Sequence, residues 1–366
     1  MEQNPLILLA AGGTGGHLFP AEALGVELMK RGLRVRLVTD SRALRYSGLF
    51  TRDTIDVVPS ETVRSRNPFS LARTGFTLAT GMAVAVYLLR KLKPAAVVGF
   101  GGYPTLPPLI AARLCGVPSV VHEANAVLGR ANRFLASRVS AIATSLPGVL
   151  DRDPELASKT TAVGTPMCPA ILAAAAVKYA APDAAGPLRL LVVGGSQGAR
   201  VMADIVPGAI EKLEPSLWRR LVLTQQVREE DMARVRAVYD RLKINAELAP
   251  FFTDLPARLA ANHLIISRSG AGTVSELAAI GRPSILVPLP GSIDQDQFAN
   301  AGVLSQGGGA LRIPQTEFTP DRLASEISAL AAEPSKLTAM AEAARSAGRL
   351  DAAVRLADLV AKVAGI

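Results

Sequence analysis

LILLAAGGTGGH, Leu6 to His17, and LRLLVVGGSQG, Leu188 to Gly198, are two versions of one pattern: an apolar run that ends in clustered glycines. A run of Leu, Val, Ile and Ala this short is what a strand buried on both faces of a parallel sheet looks like. Glycines at its carboxyl end permit a tight turn and bring backbone N–H groups close to a bound anion at the start of a helix. Two copies predict two open α/β domains, each with a crevice at its strand ends.

The chain has 366 residues, 49% apolar and 19% charged, enough for two cores. Cys115 and Cys168 offer no disulfide framework and fit a reducing compartment. The short apolar run behind Glu2 lacks the basic start and long apolar centre of a signal peptide, so export is not expected. The net charge of +9 is concentrated: between Thr62 and Leu150 lie ten basic residues, among them Arg64, Arg66, Arg73, Arg90 and Lys91, against one carboxylate, Glu123. The rest of the chain balances.

The same stretch contains TGFTLATGMAVAVYLL, Thr74 to Leu89, bracketed by Arg73 and Arg90-Lys91. It falls short of the ~20 residues that cross a bilayer. Three readings compete: a buried helix of an α/β domain, a transmembrane span, and an apolar helix held in an anionic membrane interface by its flanking cations. Nucleic acid is not an expected partner, because no binding module is recognisable and few aromatics accompany the basic residues.

Strands are expected over 6–11, 35–39, 55–58, 96–99, 119–122 and 141–144, with helices over 20–31, 71–92, 105–115 and 130–137. A Pro- and Ala-rich passage over 164–187 reads as the interdomain connection, after which strands recur over 189–193, 221–224, 246–248, 264–267 and 285–288. This βα order predicts doubly wound parallel sheets. A dinucleotide fold is disfavoured: Leu18 stands where the third glycine of the fingerprint belongs, and the second turn lacks the fingerprint altogether.

SRSGAGTVSE, Ser267 to Glu276, follows Leu264-Ile265-Ile266 and opens a helical run. Its small residues expose N–H groups that suit a diphosphate, and Glu276 can accept ribose hydroxyls. The plainer reading is a capped helix whose Glu276 complements the dipole. In DQDQFAN, Asp294 to Asn300, amides and carboxylates can bond sugar hydroxyls; Asp294-Gln295-Asp296 and Asp151-Arg152-Asp153 match the short D-x-D pattern, from which no metal site is inferred. His17 follows the first glycine turn, and His122-Glu123 ends a strand. Either position can supply a general base for an acceptor hydroxyl. His263 precedes a strand and reads as structural.

In chain order, GGTGGH (12–17), GFGGYP (99–104), HEAN (122–125), GGSQGAR (194–200), SRSGAGTVSE (267–276) and DQDQFANA (294–301) closely resemble the MurG family of peptidoglycan N-acetylglucosaminyltransferases. The resemblance runs from residue 6 to about residue 310. It implies a GT-B fold of class α/β: two doubly wound Rossmann-like parallel-sheet domains facing a central cleft. The first, 1–164, would bind acceptor and membrane; the second, 165–345, the UDP-sugar; a helix in 346–366 would pack back on the first.

The resemblance also implies transfer of N-acetylglucosamine from UDP-N-acetylglucosamine to lipid I, giving lipid II; the course expected here is single displacement with inversion by the C4 hydroxyl of the MurNAc, without metal or cofactor. The implied setting is peripheral, on the cytoplasmic face of the bacterial inner membrane, with anionic lipid and other cell-wall synthesis or division proteins as partners. The alternative is a UDP-N-acetylglucosamine 2-epimerase or another GT-B transferase with a soluble substrate, against which the apolar, basic stretch 64–93 argues.

From the positions of these residues, His17 is the favoured base, with Glu123 in reserve; the assignments that follow are carried over by motif. Thr14, Gly15 and Gly16 would line the donor–acceptor cleft, Asn125 and Gln297 the donor sugar, and Ser196 the diphosphate. Ala271, Gly272, Thr273, Val274, Ser275 and Glu276 would hold phosphate and ribose, and Phe252 would stand near the uracil. The chain departs from the family at Gly164-Thr165-Pro166-Met167-Cys168, where the pattern G-N-P-x-R carries an arginine that assists donor binding. HEAN likewise replaces the commoner HEQN.

Overall fold

The computed structural model describes residues 4–12, 15–40, 48–60, 67–146, 148–183, 185–195 and 198–366. The chain divides into two units, Met1–Cys168 with Leu350–Ile366, and Pro169–Arg349.

In the first unit the order is β1 (Leu6–Ala10), α1 (Gly15–Lys30), β2 (Arg34–Thr39), β3 (Ile55–Val57), α2 (Pro68–Leu92), β4 (Ala96–Gly99), α3 (Leu106–Leu114), β5 (Ser119–Glu123), α4 (Arg130–Ala136), β6 (Ala141–Thr144), α5 (Pro154–Ala157) and β7 (Thr160–Ala162). The strands form one parallel sheet in the order β3-β2-β1-β4-β5-β6-β7, so the winding reverses between β1 and β4. Along β1, Leu6, Leu8 and Ala10 enter one core with Leu89 of α2, Leu109 of α3 and Leu135 of α4. Ile7 and Leu9 enter the other with Leu24 and Leu28 of α1. Burial on both faces is why the run is continuously apolar rather than alternating.

The second unit runs α6 (Pro169–Ala175), β8 (Leu188–Val193), α7 (Arg200–Glu211), α8 (Pro215–Trp218), β9 (Leu221–Gln226), α9 (Glu229–Arg241), β10 (Ala246–Ala249), α10 (Leu255–Ala261), β11 (Leu264–Ser267), α11 (Ala271–Ile280), β12 (Ser284–Leu286), α12 (Asp296–Gln306), β13 (Ala310–Arg312), α13 (Pro320–Ala332) and α14 (Pro334–Ala347). Its parallel sheet is ordered β10-β9-β8-β11-β12-β13, and its winding reverses between β8 and β11. Leu190 and Val192 of β8, Val206 and Ile210 of α7 and Leu323 of α13 share its core.

The last helix, α15 (Ala352–Ala364), belongs to the first unit. Its Leu356 and Val360 are fully buried in the core that α1 also lines, worth roughly 1.5–3 kcal/mol each. Arg31 of α1 pairs with Asp358 at 2.7 Å.

Three features depart from the sequence expectation. The edge strands β7 and β13 are three residues each, too short to show a period. Helix α1 starts at Gly15, five residues before the expected start, because the glycine turn itself becomes the first helical turn. Helix α2 is 25 residues long, and among its described side chains it buries a seam of Thr74, Gly81, Ala85 and Leu89. Its other side leaves Phe76 76% and Tyr87 61% exposed.

Candidate active site

In open α/β sheets the crevice for a ligand lies beyond the strand ends where the winding reverses. In the first unit that point is flanked by the loop after β1 and the loop after β4. His17 occupies the first turn of α1 and is half-buried. Its ring lies on the backbone of Gly101, whose φ of +95° suits glycine, and where a β-carbon would stand 3.2 Å from His17 Cε1. Gly15 and Gly16 precede it on the same turn. Thr14 lies outside the described residues.

At the end of β5, His122 and Glu123 are both buried. His122 Nε2 stands 2.9 Å from the Gly164 carbonyl, which requires the proton on that nitrogen. Burial pushes the His122 pKa down, so the ring is neutral. Ser145 Oγ stands 3.4 Å from the same nitrogen and accepts from Thr165 Oγ1 at 2.7 Å. Thr165, where the family pattern has asparagine, thus braces His122.

Glu123 is engaged by four donors. Oε1 accepts from the N–H and Nδ2 of Asn125 at 2.9 and 3.0 Å; Oε2 accepts from Gly129 N–H at 2.8 Å and Asn132 Nδ2 at 2.9 Å. Asn132 Nδ2 also donates to the His122 carbonyl at 3.2 Å. A buried carboxylate with both oxygens occupied orders a loop; it is not presented to a substrate hydroxyl. Asn132 was absent from the sequence reading, since only the fold brings α4 back beneath the HEAN loop.

In the second unit the reversal is flanked by the turn after β8 and the start of α11. Gly194 comes so close to the next helix that a β-carbon there would sit 2.1 Å from Ala199 N. Ser196 lies outside the described residues. Gly270 caps α11, and nothing lies within 4 Å of where β-carbons on Gly270 or Gly272 would be. The N–H groups of Ala271, Gly272 and Thr273 have no intrahelical acceptor at this position, which makes the open helix start favourable for an anion. Val274 is buried, and Ser275 and Glu276 are half-buried. Desolvation pushes the Glu276 carboxyl up to about 7.

The two loops beside this helix are tied together. Ser269 Oγ donates to the Gln297 carbonyl at 2.8 Å, Asn300 Nδ2 donates to the Ser269 carbonyl at 3.3 Å, and Gln297 Oε1 accepts from Leu289 N–H at 3.0 Å. Asp294 and Gln295 both have positive φ, 53° and 55°, a left-handed pair just before α12. After β10, Phe252 is buried under the Arg258 guanidinium, 4.4 Å from its ring centroid, whereas Phe251 is 61% exposed. Of the two adjacent rings, that of Phe251 is the one open to solvent. Among the described residues no group of three His, Cys, Asp or Glu is placed to hold a metal ion.

The cationic set divides. Arg73 lies on the first turns of α2, and Arg90 and Lys91 on its last; all three are exposed. Arg64 and Arg66 lie outside the described residues. On the neighbouring α3 and α4, Leu114 is 69% and Phe134 48% exposed, beside exposed Arg113, Arg130 and Arg133.

Known proteins place this architecture. The Glycosyltransferase family 28 N-terminal domain matches residues 7–144, and the family's C-terminal domain matches residues 189–356. A relative in Bradyrhizobium diazoefficiens, 80% identical over 366 residues and covering all of both chains, is named UDP-N-acetylglucosamine--N-acetylmuramyl-(pentapeptide) pyrophosphoryl-undecaprenol N-acetylglucosamine transferase. The chain belongs to this transferase family. The crystal structure of Acinetobacter baumannii MurG is similar at a TM-score of 0.78 and 28% identity, covering 98% of this chain and 99% of that one. A UDP-GlcNAc 2-epimerase from Neisseria meningitidis, at TM-score 0.68 and 13% identity over 98% of this chain and 100% of its own, shares the fold alone. The two sheets are those of the GT-B fold, and family membership disfavours the epimerase reading.

Proposed function

We propose that this chain is a UDP-N-acetylglucosamine-dependent hexosyltransferase that moves N-acetylglucosamine to the C4 hydroxyl of the MurNAc of lipid I, giving lipid II. Membership of the transferase family carries this reading, and the open start of α11 with Glu276 behind it supports the donor half. The acceptor hydroxyl displaces UDP in one step, with inversion. His17 takes the hydroxyl proton, while Glu123 orders the loop that carries Asn125. Charge growing on UDP is met by the N–H groups of Ala271, Gly272 and Thr273, so that no metal is needed. Preorganised donors of this kind are worth about 3–4 kcal/mol each when lost. Glu276 accepts the ribose hydroxyls, Gln297 contacts the sugar, and Phe251 offers its face to the uracil.

The acceptor combines a polyprenyl tail with a pyrophosphate, and the first unit suits it. Exposed Phe76, Tyr87, Leu114 and Phe134 stand among Arg73, Arg90, Lys91, Arg113, Arg130 and Arg133 on three adjoining helices. Aromatic and aliphatic side chains ringed by cations favour an anionic bilayer surface, each cation by ~1 kcal/mol. On this reading the enzyme rests peripherally on the cytoplasmic face of the bacterial inner membrane, near other cell-wall synthesis and division proteins. Helix α2 also holds a 20-residue stretch, Arg73–Leu92, long and apolar enough to cross a membrane by length and composition. Its seam of core residues favours lying on the surface instead.

The direct test is donor consumption with and without a lipid I analogue. Acceptor-dependent release of UDP supports the transferase; consumption that ignores the acceptor contradicts it.

A further inference from the structure

Gln226 ends β9, the strand between β8 and β10, and is 6% exposed. Both ends of its amide are engaged. Oε1 accepts from the Gly194 N–H at 2.9 Å, and Nε2 donates to the carbonyls of Gly195 and Pro250 at 3.0 and 3.1 Å. Two carbonyls on one side and an N–H on the other fix the orientation of the amide, because only the NH₂ group can serve both carbonyls. One side chain therefore clamps two loops from opposite sides: the glycine turn after β8, and the segment after β10 that leads into Phe251. The Gly195 carbonyl also accepts from Gly198 N–H at 3.0 Å, which closes the turn on itself.

We propose that Gln226 is a positioning residue for the nucleoside diphosphate, coupling the loop that receives the diphosphate to the loop that receives the base. The inference rests on the donor reading of the second unit given above. β8 and β10 are laddered to β9 up to Val192 and Ala249, and just beyond those ends this one side chain ties the two loops together. A ligand spanning phosphate and base is bound tightly only while their separation holds. Leucine fills about the same volume but forms none of the three bonds, which takes this partner from the Gly194 N–H and the Pro250 carbonyl and leaves the Gly195 carbonyl with Gly198 alone. Glutamate keeps the acceptor for Gly194 and sets a second oxygen against both carbonyls when ionised; when protonated it returns one donor.

The test uses the full chain and isothermal titration with UDP and ADP, together with separate donor and acceptor kinetics. Gln226→Leu is expected to weaken UDP about tenfold or more, to narrow the preference for UDP over ADP, and to raise donor KM while acceptor KM holds. Gln226→Glu is expected to show the same defect at pH 8 and to recover part of it, relative to the parent at equal pH, as the pH falls. It decides the matter should the leucine variant fail to fold. UDP affinity and base preference unchanged in the variants would overturn the clamp. So would parallel rises in both KM values with the preference intact, the mark of a general loss of structure. Failure of the parent chain to bind UDP would instead sink the donor reading.

Discussion

Glu123 accepts hydrogen bonds from both the backbone N–H and the side-chain amide of Asn125, at 2.9 and 3.0 Å. A carboxylate used this way fixes the loop after β5 that carries Asn125. Its second oxygen is equally engaged, by Gly129 and Asn132.

Glu123→Gln replaces an acceptor by a donor that faces other donors. Unfolding free energy should fall by about 1–3 kcal/mol, and turnover should fall with it. The pH–rate profile should keep its acidic limb, because the base is elsewhere. Loss of that limb in steady-state kinetics of the variant would assign the proton transfer to Glu123.

His17→Ala should lower turnover by roughly 10²–10⁴-fold, the usual worth of a positioned base, with UDP affinity essentially unchanged. Gly101→Ala acts on the same ring from below, since its β-carbon would stand 3.2 Å from His17 Cε1 and its φ of +95° is strained for alanine. Turnover should drop while UDP titration stays at the parent value. A Gly101→Ala enzyme with parental turnover would separate that glycine from the site.

The Glu276 carboxyl, pushed up to about 7 from an ordinary 4.5, links donor binding to protons. Because the folded-state pKa is raised, ionising Glu276 opposes folding as pH climbs through that range. Ribose hydroxyls that donate to the ionised form return part of the cost. UDP-N-acetylglucosamine, whose doubly esterified diphosphate does not titrate in this range, should therefore bind more tightly at pH 8 than at pH 6, by up to about tenfold, with release of a proton near pH 6. Calorimetry in buffers of different ionisation enthalpy measures that proton. Glu276→Gln should abolish both the proton release and the pH dependence, and a variant that retained them would point to another group.

Replacing Arg90 and Lys91 together by Ser should weaken binding to phosphatidylglycerol vesicles about thirtyfold at low salt, from ~1 kcal/mol per cation. Phe76→Ser with Tyr87→Ser should weaken it at all salt concentrations. Co-sedimentation that ignores both pairs would remove α2 from the membrane surface.

Much of this architecture was legible because β1 and β8 are apolar runs that end in clustered glycines, one of which, Gly194, the following helix crowds to 2.1 Å of its would-be β-carbon. Leu6, Leu8 and Ala10 serve one core while Ile7 and Leu9 serve the other, so the run itself announces helices on both sides. The edge strands β7 and β13 carried no such signal. The places of residues next to a glycine turn were readable from order alone: His17 lies in the first turn of α1, and Ala271 to Glu276 open α11. Asn132 and Gln226 were not, because their importance lies in hydrogen bonds to backbone atoms remote in sequence. The choice between Phe251 and Phe252 was equally hidden: adjacent residues leaving a strand point to opposite sides, and only packing under Arg258 decides which is buried.

The central claim is that a donor sugar leaves UDP for a lipid-linked acceptor, and product identity tests it most directly. Purified enzyme given UDP-N-acetylglucosamine and a short-chain lipid I analogue should yield the β-linked disaccharide lipid and UDP in equal amounts by mass spectrometry. An epimerised sugar, or UDP formed without the disaccharide, would contradict it.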